Sequence, residues 1–231
     1  MPEQKKFELS PSLSILIAGF VIAAAIVFVN RYPTAQPVAA AGAGAPATAS
    51  ANVPAPSASD HIVGSPTAPI VLVEYSDFQC PYCSMIYPSL KDIVTKSSGQ
   101  IAWVMRDFPL YQIHPQALPA AHAAECIADQ LGNAAWWKFV DDDFNNQSSI
   151  GAAFFSAEAQ KLGANMTTYN SCISTSKFQS KIETQIAEAE NSGGNGTPYT
   201  IIINTKTGKQ FPVSGALPES QIMAAITAAE K

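Results

Sequence analysis

Six residues, Ile70-Val71-Leu72-Val73-Glu74-Tyr75, lead directly into Ser76-Asp77-Phe78-Gln79-Cys80-Pro81-Tyr82-Cys83. Apolar residues at consecutive positions mark a strand covered on both faces, as in an α/β sheet. A strand that runs into a helix at Cys80-Pro81-Tyr82-Cys83 puts the first thiol at the helix N-terminus, where free N–H groups and the dipole favour an anion. Cys83, three residues on, lies about one helical turn away and closes a small disulfide ring with Cys80. The chemistry this spacing points to is thiol–disulfide exchange. Glu74 interrupts the apolar run six residues before Cys80. A carboxylate there is costly unless hydrogen-bonded or protonated, so it reads either as a strand-end acid facing water or as a buried proton carrier below the thiols.

The chain has 231 residues, 47% of them hydrophobic and 13% charged, enough for one globular domain and an additional segment. Its net charge is −5 with no clustered Lys/Arg tract, which argues against a nucleic-acid partner. The four cysteines are Cys80, Cys83, Cys126 and Cys172. Adjacency pairs the first two, leaving Cys126 and Cys172 as a second candidate disulfide or as two buried free thiols.

From Leu13 to Val29 there is no charge; Lys5 and Lys6 precede the run and Arg31 follows it. Seventeen helical residues span about 26 Å, slightly less than a hydrocarbon core of about 30 Å. The expectation is a cytoplasmic N-terminus over 1–11 and a transmembrane anchor over 12–30, with a cleaved signal segment as the alternative because alanine-rich triplets such as Val38-Ala39-Ala40 follow. Residues 31–59, almost wholly Ala, Pro, Gly, Ser and Thr, read as a flexible linker. The folded domain is expected over 60–231.

Within it, Asp60 to Gly64 reads as a short edge strand, residues 70–75 as the main strand, Pro81 to about Lys96 as a helix with apolar spacing, and Ile101 to Met105 as a second, parallel strand. A helical insertion over about 115–190 follows, and both Cys126 and Cys172 lie in it. Gly196-Thr197-Pro198 precedes the strand Tyr199 to Ile203, a hairpin turn leads to Lys209–Val213, and a terminal amphipathic helix begins near Pro218. The order βαβ, helices, ββα gives an α/β class: a thioredoxin fold split by a helical insertion, preceded by one transmembrane helix and a disordered linker.

These residues carry a family resemblance. His61-Ile62-Val63-Gly64, the run Ala68-Pro69 through Cys83, Arg106-Asp107-Phe108-Pro109-Leu110, Cys126-Ile127-Ala128-Asp129-Gln130 and Gly196-Thr197-Pro198 resemble the DsbA-like thiol–disulfide oxidoreductases, in the subgroup with bacterial membrane-tethered members. The resemblance implies that Cys80 is the exposed nucleophile and Cys83 the resolving thiol. It implies that Pro198 is a cis-proline beside them, that Thr197 presents backbone to a bound peptide, and that Glu74 is the buried acid. It also implies that Pro81 and Tyr82 tune the reduction potential. The family's strong oxidant has a nucleophile pKa of about 3.5 and a potential of about −120 mV, against about 7 and −270 mV for thioredoxin. It carries a histidine where this chain has Tyr82, and tyrosine supplies no positive charge, so a less extreme oxidant is expected here.

The resemblance further implies an exported enzyme, periplasmic or extracellular, that introduces disulfides into reduced client proteins without a cofactor. It implies that a quinone-linked membrane oxidase restores its disulfide, and the expected state is a monomer. A reductase or isomerase of the same fold is the alternative. A metal-binding or chaperone module is a third class, although no second close Cys/His pair follows at finger-like spacing. Phe78, Tyr82, Tyr87, Phe108 and Tyr199 read as core or as an apolar client surface; Trp136, Trp137, His114 and His122 read as structural.

Overall fold

The computed structural model describes residues 51–231; the expected cytoplasmic N-terminus, anchor and most of the linker lie outside the described residues. Five strands, β1 (His61–Val63), β2 (Ile70–Ser76), β3 (Ile101–Asp107), β4 (Tyr199–Asn204) and β5 (Gln210–Ser214), form one sheet in the order β1-β3-β2-β4-β5. β2 and β3 are parallel, with Ile70 opposite Ile101, and every other pair is antiparallel. Every residue of β2, β3 and β4 is buried, as consecutive apolar positions require when both faces are covered.

Helix α1 (Pro81–Lys96) joins β2 to β3 and buries Cys83, Ile86, Tyr87, Leu90, Ile93 and Val94. It packs with Ile70, Leu72, Trp103 and Met105 on one sheet face, where the terminal helix α7 (Glu219–Ala229) adds Ile222 and Ile226. The insertion supplies α2 (Ala117–Leu131), α3 (Asn133–Asn145), α4 (Ala152–Leu162), α5 (Met166–Ser174) and α6 (Gln179–Asn191). Its first four helices extend the same core through Ala120, Ala124, Trp136, Phe139, Phe155 and Tyr169. Helix α6 returns to the opposite sheet face, where Ala189 meets Val71, Val73, Tyr75 and Ile201. Cys126 of α2 and Cys172 of α5 are joined by a disulfide with a Cα–Cα distance of 5.9 Å.

One boundary differs from the expectation. The 31–59 segment is not wholly a linker: Ala51 and Val53 are only 4% and 3% exposed and pack on the second sheet face. Val53 donates its N–H to Gln210 Oε1 at 2.8 Å and accepts from Gln210 Nε2 at 2.9 Å. Composition hides this contact because two small apolar residues suffice to cover the strip of sheet that α6 leaves open. Among the described residues no helix is long and apolar enough to cross a membrane.

Candidate active site

The C-terminal end of β2 delivers the redox loop onto the start of α1. Cys80 is the helix N-cap, with extended backbone (φ −75°, ψ 121°), and Pro81 occupies the first turn, where a missing N–H leaves no bond unmade. Cys80 is not the exposed nucleophile expected from the resemblance: the residue is 3% exposed, packed beneath the Thr197 carbonyl, and Cys83 is 0% exposed; both are free thiols. Across the loop, the Thr197–Pro198 peptide is cis, and the Cys80 thiol donates to the Thr197 carbonyl oxygen at 3.5 Å. Just before that peptide Gly194 lets the Tyr199 ring pack against the end of α6, since a Cβ there would lie 2.7 Å from the ring and 2.9 Å from the Ala189 carbonyl oxygen.

The two thiols are in opposite electrostatic situations. The hydrogen bond from the Cys83 thiol is the largest influence on Cys80; with the backbone N–H groups of Cys83 and Tyr82 it outweighs burial and brings Cys80 down to about 6. Burial pushes Cys83 well above its ordinary value, reinforced by Cys80 and by the negative charge of Glu74. Cys80 is therefore the thiolate of the pair at neutral pH.

Glu74, 1% exposed, lies on the sheet face that meets α1. Burial pushes its carboxyl up to about 7 against the opposing hydrogen bond from Trp103 Nε1 at 3.0 Å. Ser76, two residues along the same strand, is buried with its hydroxyl unpartnered. Tyr82 faces solvent at 58% exposure, next to Met85 at 63%. Phe78, Tyr87, Phe108 and Tyr199 are buried, so of the five aromatics only Tyr82 presents its ring to solvent beside the thiols.

Three side chains with no role assigned from the sequence hold the loop. Asp77, 1% exposed, accepts from the N–H groups of Gln79 and Leu110, both at 2.7 Å, and pairs with His114 Nδ1 at 2.9 Å. Gln79 Oε1 accepts from the Gln116 N–H at 2.7 Å. Gln147 Nε2 donates to the carbonyls of Phe78 and Cys80. His114, read from sequence as structural, thus braces the redox loop. Asp77 was signalled only by its position within the loop, and Gln147, 64 residues beyond Cys83, by nothing.

The insertion also buries Asp143, which has neither carboxylate oxygen partnered and is pushed up to about 8 by burial and by the charge of Asp77. Trp136 and Trp137 are buried as expected of packing residues, Trp136 stacking on His61 with centroids 4.2 Å apart. Among the described residues no group of three or more His, Cys, Asp or Glu side chains is placed to hold a metal ion.

A family model described as Thioredoxin matches residues 57–223. The chain belongs to the thioredoxin family. Within that family its fold is DsbA-like: it resembles DsbA2 of Pseudomonas aeruginosa (TM-score 0.61, 24% identity, covering 73% of this chain and 93% of that one). It also resembles α-DsbA1 of Wolbachia pipientis (TM-score 0.63, 23% identity, covering 76% and 92%) and a periplasmic thioredoxin-like protein from Salmonella enterica serovar Typhimurium (TM-score 0.59, 20% identity, covering 74% and 90%). Among curated sequences, this thioredoxin-family chain is 32% identical over 145 residues to Na(+)/H(+) antiporter NhaA 1 of Salinispora arenicola, a match covering 63% of this chain and 22% of that protein. The antiporter 3 of Salinispora tropica matches at 30% over 145 residues, with the same coverage. The match thus spans about a fifth of the length of these curated relatives.

Proposed function

We propose that this chain is an exported thiol–disulfide oxidoreductase that introduces disulfides into client proteins through Cys80 and Cys83. The observation that carries the reading is the asymmetric thiol pair: a low-pKa Cys80 at a helix N-terminus against the Thr197 carbonyl, with Cys83 and Glu74 buried behind it. In the forward direction a client thiolate attacks Cys80 Sγ of the Cys80–Cys83 disulfide. The S–S bond breaks, its electron pair goes to Cys83, and the Glu74 carboxyl supplies the proton. A second client thiolate attacks the client sulfur of the mixed disulfide and Cys80 leaves as a thiolate. The client loses two electrons and the enzyme gains a dithiol. All electrons reside on sulfur, so exchange requires no cofactor.

Pro198 and Thr197 form the shelf on which a client segment lies, and Pro81 and Tyr82 set how strongly the thiolate is held. A membrane oxidase returns the dithiol to the disulfide. Export rests on the uncharged run Leu13–Val29, which anchors the domain outside the cytoplasm or is cleaved, and on the likeness to a protein described as periplasmic.

Equilibration with glutathione is expected to give a potential between about −120 and −270 mV, and a Cys83→Ser variant should accumulate mixed disulfides with reduced clients. No mixed disulfide, or a domain confined to the cytoplasm, would overturn the reading. A reductase or isomerase is the second reading, favoured by a Cys80 pKa of about 6, close to that of thioredoxin at about 7. The thiol state in cells separates the two: mainly disulfide supports the oxidant, mainly dithiol the alternative.

A further inference from the structure

Gln147 opens a single 3-10 turn, Gln147–Ser149, after α3, and its side chain leaves the helical insertion to reach the redox loop. Nε2 donates to the Phe78 carbonyl at 2.9 Å and to the Cys80 carbonyl at 3.0 Å, spanning the loop across Gln79. The Cys80 carbonyl also starts helix α1, accepting from Cys83 N–H at 3.1 Å and Ser84 N–H at 3.3 Å. Cys80, as N-cap, receives no side-chain capping bond of its own.

We propose that Gln147 is a positioning residue of the redox site: by holding the Phe78 and Cys80 carbonyls it fixes the Cys80 N-cap conformation that aims the sulfur at the helix N-terminus, so that the insertion sets the reactivity of the nucleophile. The reason is geometric. The N–H groups of Tyr82 and Cys83 stabilise a thiolate only while Cys80 keeps its extended backbone, and stabilisation by a helix N-terminus falls off within one turn. Pro81 removes one donor from that turn, so the remaining alignment matters more. The Asp77 and Gln79 contacts brace the loop before Cys80, whereas Gln147 bonds to the Cys80 carbonyl itself.

The ionisable groups that act on the thiol are Cys83 from α1 and Glu74 from β2; Asp77, in the loop, is paired with His114, and Asp143 from α3 faces Asp77. None of these side chains bonds to the two carbonyls, and none is altered by changing Gln147 to a neutral residue. The inference rests on the reading of Cys80 as nucleophile, and the test separates the two.

Alkylation of the reduced full-length chain is followed from pH 4 to 9 for wild type, Gln147→Leu and Gln147→Asn, alongside thermal unfolding. Leu removes the donor, whereas Asn keeps polarity but is one methylene too short to span both carbonyls. Each variant is expected to shift the Cys80 alkylation midpoint upward, so that at pH 5 it reacts about threefold or more slowly, as a rise of half a pH unit implies. A wild-type profile in either variant with a folded melt overturns the proposal, because a purely structural contact would change the melt alone. If the midpoints shift while wild type forms no mixed disulfide with clients, the oxidoreductase reading fails and the role of Gln147 in setting Cys80 stands.

Discussion

The two thiols and the acid behind them divide the work by burial. Cys80, held down to about 6 chiefly by the Cys83 hydrogen bond, is expected to alkylate with a rate that rises through pH 6 and levels off by about pH 8; a midpoint near 9 would show that neither the Cys83 bond nor the helix terminus acts on it. Glu74 has the opposite sign. Its carboxyl, at about 7 in the fold against 4.5 ordinarily, binds its proton more tightly when folded. The stability associated with that proton is complete below pH 4.5 and is lost as pH rises through 7. Glu74→Gln should therefore leave unfolding free energy nearly unchanged at pH 4 and raise it by about 3 kcal/mol at pH 8. Denaturant melts at the two pH values test this, and an equal change at both would refute it. Glu74→Gln should also slow release of Cys83, since no titratable carboxyl remains to move the proton.

At the scale of elements, what was legible in the sequence is what repeats or reacts. β2, α1, β3 and β4 follow from apolar runs, and Cys80, Cys83, Glu74, Thr197 and Pro198 from motif positions; all five meet at one end of the sheet. What was not legible depends on single side chains bonding to distant backbone. Gln147 and Asp77 act through carbonyl and N–H groups, which leave no residue-type signature. Asp141-Asp142-Asp143 shows the same limit: Asp141 pairs with Lys91 at 2.5 Å and Asp142 with Lys161 at 2.9 Å, while Asp143 points inward. The Cys126–Cys172 bridge closes a span of 46 residues between α2 and α5. A loop of that size implies a loss of about 2–4 kcal/mol on Cys126→Ala/Cys172→Ala. The double variant is expected to melt earlier while keeping the Cys80–Cys83 potential of wild type; a shifted potential would mean that α2 and α5 reach the redox loop energetically.

At the scale of the whole molecule, the second face of the sheet is closed by a strap whose hub is Arg106. The guanidinium, with its side chain 3% exposed, holds Asp60 through Nε at 2.8 Å and Nη2 at 3.1 Å, Glu188 of α6 through Nη1 at 3.1 Å, and the Pro54 carbonyl through Nη2 at 3.1 Å. Burial pushes Asp60 upward, yet its bond and proximity to Arg106 hold it below the ordinary value, so both members are charged. Arg106→Ala leaves a buried carboxylate unpaired and is expected to cost about 3–5 kcal/mol. Val53, anchored next to Pro54, should lose about 2 kcal/mol on truncation to Ala from two buried methyl groups. If Arg106 keeps the strap in place, the two losses are not independent: once Arg106→Ala has freed Pro54 and Asp60, Val53→Ala has less packing left to remove. The double variant should then fall short of the summed single losses by about 1 kcal/mol, within the range seen for residues sharing one network. Strict additivity in the denaturant midpoints would mean that Val53 is held by Gln210 and the sheet alone.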